Sequence, residues 1–71
     1  MSKIKYWVND LSKEAQQILY THCFKQLEEQ GYPKADINKY LDNLQFEKLV
    51  SLDELVSHEM MITLSEMSVN K

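Results

Sequence analysis

Gly31 and Pro33 are the only glycine and the only proline among 71 residues, and they stand two positions apart. A chain with a single such break cannot be assembled from many tight turns, because glycine and proline supply most of the special φ values that turns require. Asn and Asp could substitute, but most of them lie inside or at the start of segments with helical periodicity. The expected fold is therefore all-α: a small three-helix bundle preceded by an extended aromatic N-terminal arm. At this length the chain is expected to be one domain over residues 1–71, since domains rarely run much below about 50 residues. Hydrophobic residues make up 44% and charged residues 27%, which is globular composition and too apolar for a disordered chain.

The first helix is expected over residues 11–30. Asn9, Asp10 and Ser12 offer N-cap oxygens, and Glu14 sits in the first turn, where the helix dipole favours an acid. Its end is specified by Gly31 at C′, with Tyr32 and Leu27 placed to make the apolar contact of a Schellman ending, and Pro33 prevents continuation. At about 100° per residue, Glu14, Gln17, Thr21, Lys25 and Glu28 share one narrow polar strip. The remaining circumference carries Leu11, Ala15, Ile18, Leu19, Tyr20, Cys23, Phe24 and Leu27. That arc is wider than the roughly 100° stripe of a helix packed on one side only. The helix should thus be central or should bury a second face against a partner.

A short second helix is expected over residues 36–44, capped by Asp36, with Ile37, Tyr40, Leu41 and Leu44 at i, i+3, i+4 and i+7. It is too short to be helical alone and must be held by packing. A third helix is expected over residues 52–68. Ser51-Leu52-Asp53-Glu54 reads as a capping box and Val50 with Leu55 as a hydrophobic staple. Leu52, Val56, Met60, Thr63 and Met67 would then form its inner seam, with Met61 on the opposite, polar side. Phe46, Leu49 and Val50 in the connection should drop into the core, and residues 69–71 should fray. In the arm, residues 1–10, alternation places Ile4, Tyr6 and Val8 on one side and Lys3, Lys5 and Trp7 on the other.

Charge narrows the function. The net charge is −3, and every basic residue is lysine. Residues 1–35 carry five lysines against four acids, and residues 36–71 carry three against seven. Without arginine, the side chain that reads guanine edges and phosphates bidentately, nucleic acid is an unfavoured partner. A helix-turn-helix regulator built on helices two and three is the alternative reading, although the connecting residues 45–50 are long for that motif and the reading helix would be acidic. The single cysteine suits a reducing compartment. The N-terminus lacks the apolar run of a secretory signal, and no stretch is long enough to span a membrane. Together these point to a cytoplasmic protein, and the lysine-only composition to a bacterial or phage source.

No catalytic, cofactor or metal residues emerge. His22 and Cys23 are adjacent, so on a helix they point about 100° apart and cannot form a nucleophile–base pair. His58-Glu59 lacks the second histidine that a zinc helix places four positions on, where this chain has Ile62. No enzyme and no cofactor is expected. The expected function is a non-catalytic protein–protein interaction module (an inhibitor, antitoxin-like partner, adaptor or small regulator) acting on a protein partner that the sequence does not identify, and itself a homodimer. Candidate partner contacts are Trp7 on the arm, Tyr20 and Phe24 on the surplus arc, Glu59 and Glu66 within an apolar face, and the outward Met61.

Overall fold

The computed structural model describes residues 4–67. Its helices are α1, Lys13–Glu29; α2, Lys34–Leu44; and α3, His58–Met67. Short 3-10 turns occupy Val8–Asp10 and Leu49–Leu52. The fold is an all-α three-helix bundle in which α1 packs against both α2 and α3.

Helix α1 starts two residues after the expected position and ends where Gly31 dictates. Ser12 is the N-cap and its side chain accepts from the Ala15 amide at 3.1 Å. At the other end the Tyr32 amide donates to the Leu27 carbonyl and the Gly31 amide to the Glu28 carbonyl, at 3.2 and 3.0 Å. Those two bonds are the Schellman pair, and Gly31 accommodates them at φ +96°. Leu11, just before the helix, and Ala15, Leu19 and Cys23 within it are buried. Tyr20, Phe24 and Leu27 flank that stripe on one side and are half-buried, while Ile18 stands exposed on the other.

Helix α2 starts two residues before the expected position, and Asp36 is not its cap. Pro33 holds the N-cap position at φ −69° and ψ 153°. Its carbonyl accepts the Asp36 and Ile37 amides, leaving Asp36 in the first turn. Ile37 and Leu44 are buried and Leu41 is half-buried, whereas Tyr40 faces outward.

The largest departure from the sequence expectation lies between α2 and α3. The expected capping box at Ser51 does not start a helix. The Ser51 amide already donates to the Lys48 carbonyl at 3.0 Å, and its hydroxyl turns back to the same carbonyl at 2.7 Å. Residues 49–52 instead form a 3-10 turn, whose i and i+3 side chains eclipse, so that Leu49 and Leu52 both enter the core. Val56 is buried after a further turn. Ser57 then caps α3, its hydroxyl accepting the Met60 amide at 3.2 Å.

This late start changes which side of α3 faces inward. A helix running unbroken from Leu52 would put Met61 about 180° from Leu52. With the break at residues 53–57, Met61 and Leu64 are the buried pair, and Met60 and Met67 sit at the margin. Met61 is 2% exposed, which corrects its expected outward placement. Val50 and Phe46 were expected inside and are instead exposed, so the Val50–Leu55 staple does not form. Only Leu49 of that trio is buried.

The N-terminal arm is clasped within the chain. The Leu49 amide donates to the Tyr6 carbonyl and the Val8 amide to the Glu47 carbonyl, both at 2.9 Å. Trp7 and Lys48 thereby form an isolated antiparallel bridge. Val8 is fully buried, and residues 8–10 turn rather than stay extended. The expected fraying of residues 69–71 lies outside the described residues.

Candidate functional site

None of the buried hydrophobic residues is aromatic. The core consists of Val8, Leu11, Ala15, Leu19, Cys23, Ile37, Leu44, Leu49, Leu52, Val56, Met61 and Leu64. All seven aromatic residues of the chain lie outside it. Tyr6, Tyr20 and Phe24 are half-buried, and Trp7, Tyr32, Tyr40 and Phe46 are exposed. Aromatic rings carry the largest apolar area of any side chain, so a fold that fills its interior with aliphatic groups leaves that area at its surface.

Two of these rings meet in a cleft of about 590 Å³ where three elements converge. The end of α1 contributes Leu27 and Gln30, and the chain reversal at Gly31 brings Tyr32 to the same place. Helix α2 contributes Asp36, Ile37 and Tyr40, with Tyr40 lying four positions after Asp36 and three after Ile37 and so beside both on the helix surface. The end of the 3-10 segment adds Ser51 and Leu52, and the turn after it adds Asp53, Glu54 and Leu55. Tyr32 is 51% exposed and Tyr40 39%, while Ile37 and Leu52 are buried and form the apolar floor. The lining includes three carboxylates and no lysine or histidine. The Tyr40 hydroxyl has its pKa raised by burial first, then by the neighbouring Cys23 thiol and the carboxylates of Glu47 and Glu54.

Two shallower grooves flank α1. On the α2 side Tyr20, Thr21, Phe24 and Leu41 line a groove of about 500 Å³. On the α3 side Ile18, Met60, Ile62 and Met67 line one of about 550 Å³. Apart from Leu27, which lines the cleft, the surplus apolar arc of α1 is divided between them, because its central stripe is consumed by the core.

The residues expected from sequence are scattered. Tyr20 and Phe24 share the α2-side groove. Glu59 and Glu66 are exposed on α3, with Glu59 at the edge of the other groove. Trp7 is 43% exposed and lies elsewhere, its ring 5.4 Å from the Lys48 ammonium in a cation–π contact. Met61 belongs to the core and leaves the set of surface contacts. Sequence reasoning missed Tyr32, Tyr40, Asp53 and Glu54 as a group. The one available signal was the i, i+4 pair of Asp36 and Tyr40.

His22 and Cys23 do not form a nucleophile–base pair. Cys23 is fully buried, and burial pushes its thiol up to about 11. The His22 Nε2 is held by the Leu55 carbonyl at 2.9 Å. Among the described residues, no three His, Cys, Asp or Glu side chains converge in a way that could hold a metal ion. No helix there is long and apolar enough to cross a membrane. Helices α2 and α3 are separated by residues 45–57, far more than the three or four that join a helix-turn-helix. The chain matches no protein-family model, no curated protein and no solved structure.

Proposed function

We propose that this chain is a small non-catalytic interaction module that works by binding another protein, and that it does so as a homodimer. The observation that carries the reading is the segregation of aromatics: the core holds none, and Trp7, Tyr32, Tyr40 and Phe46 are all exposed. Tyrosine and tryptophan are enriched at protein interfaces because each buries a large rigid area at low entropic cost while keeping a polar handle. An inhibitor, an antitoxin-like partner, an adaptor or a small bacterial or phage regulator would each use such a surface. A single buried thiol suits a cytoplasmic setting.

Sedimentation velocity of the full chain at high micromolar concentration, beside native affinity purification from its host, tests the reading. A dimer, or a stoichiometric complex lost when Trp7, Tyr40 and Phe46 are replaced by serine, is the expected result. A strict monomer that recovers no stoichiometric partner overturns it.

A further inference from the structure

We infer that the cleft bounded by Tyr32, Tyr40 and the Asp53–Glu54 turn receives a lysine or arginine side chain from a basic segment of a partner protein. The inference rests on the interaction-module reading and names the chemistry of what that module binds.

Three features of the cleft agree on one kind of occupant. Its apolar lining includes Leu27 and Leu55, which are half-buried and still present surface that can cover an alkyl stem. Its walls include two exposed tyrosine rings, whose faces attract a cation. Its rim carries Asp36, Asp53 and Glu54, contributed by two different elements, with no basic side chain in the lining to neutralise them. Lysine and arginine combine a long apolar stem with a cationic head, and they cover apolar surface while the head stays among polar groups. A volume of about 590 Å³ falls within the range of roughly 300–1,000 Å³ typical of ligand clefts, large enough for one long side chain with its flanking backbone. A divalent metal is a poorer fit, because no three acidic, histidine or cysteine side chains of the described residues converge on one point. An anion or a nucleic acid would meet three like charges.

The chain provides the same contact at another place. Lys48 rests over the Trp7 ring at 5.4 Å, so a lysine ammonium on an aromatic face is compatible with this surface. That lysine belongs to the arm clasp and does not line the cleft.

The test is a titration of the ¹⁵N-labelled full chain with an uncharged glycine–serine peptide carrying one central arginine, followed by amide chemical shifts. The same peptide with citrulline, the neutral isostere of arginine, serves as the control, and tetramethylammonium chloride is the small-cation control. Saturable shifts confined to Tyr32, Asp36, Tyr40 and residues 53–55 are expected, absent with citrulline. The variant D53N/E54Q should bind the arginine peptide roughly fivefold or more weakly, the size of two surface ion pairs. The variant D10N/D42N makes the same change in net charge outside the cleft and should bind as the wild type does. Equal weakening by both variants, shifts spread over the whole acidic surface, or tetramethylammonium binding as tightly as the peptide would overturn the inference. So would no binding at all. Sedimentation and co-purification of D53N/E54Q separate the two claims. If the wild type associates but fails to bind the arginine peptide, only the assignment of the cleft falls; if neither the wild type nor the variant associates, the module reading falls with it.

Discussion

The His22 imidazole and the Leu55 carbonyl lie 2.9 Å apart, joining the middle of α1 to the turn that precedes α3. A carbonyl only accepts, so Nε2 carries the proton and donates. The bond spans 33 positions of sequence and pins a segment with no regular helix of its own. The Leu55 and Val56 amides on that segment both donate to the Leu52 carbonyl, at 3.0 and 2.9 Å.

Replacing His22 by alanine leaves the half-buried Leu55 carbonyl without its donor and should cost about 1 kcal/mol. Urea unfolding would register this as a lower midpoint at unchanged slope. Hydrogen exchange should quicken at Leu55 and Val56 before it does at Leu19 or Cys23. Unchanged protection of those two amides would show that the segment is held by side-chain packing alone.

Two serines compete for the role of N-cap ahead of α3, and the structure awards it to Ser57. Ser57→Ala should therefore destabilise the protein by about 1 kcal/mol, the usual value of a lost cap. Ser51→Ala removes an exposed hydroxyl that caps no α-helix, and should stay within about 0.5 kcal/mol of wild type. Thermal melts of the two variants compare them directly. A larger loss from Ser51→Ala would place the start of the helix back at the capping box.

Met61 and Phe46 exchange the places that their neighbours in sequence suggest. Met61→Ala empties a core position and should cost about 2–5 kcal/mol. Phe46, 62% exposed, should change stability by no more than about 0.5 kcal/mol on replacement by alanine. Denaturant titration of both variants would expose an inverted core if the order came out reversed.

The Cys23 thiol sits among Ala15, Leu19 and the other core residues, and burial raises it from an ordinary value of 9.0 to about 11. In the unfolded chain the proton leaves near pH 9, while the folded chain keeps it until about 11. The folded state thus binds more protons across that window, and stability must fall as the pH rises through it. The Tyr20 and Tyr40 hydroxyls are raised too, chiefly by burial, and prolong the loss at higher pH. Unfolding free energy measured from pH 7 upward should bend downward near pH 9, and Cys23→Ala should remove that first bend whatever its effect on overall stability. In the native protein at neutral pH, alkylation of Cys23 should be limited by unfolding.

What the sequence determined by itself is what depends on neighbours within about five residues. The chain reversal at Gly31 and the Leu27–Tyr32 hydrogen bond are short-range interactions that follow from residue types at fixed offsets, and the N-cap fell to Ser12, one of three that the sequence offers. The buried stripe of α1 was legible for the same reason, because a 3.6-residue period places Ala15, Leu19 and Cys23 on one face regardless of what packs there. Where α3 begins was a different matter. Ser51 and Ser57 can both cap a helix, and the choice was made by burying Leu49, Leu52 and Val56 together, a gain that no local pattern registers. That choice rotated Met61 inward, set Phe46 and Val50 outside, and left the Leu55 carbonyl free to meet His22. The cleft was decided in the same way. Tyr32, Tyr40 and Glu54 are separated along the chain and become neighbours only once α2 and the turn before α3 close on the end of α1. Gly31 and Pro33 settled the first of the chain's reversals; the second, between α2 and α3, was settled by burial.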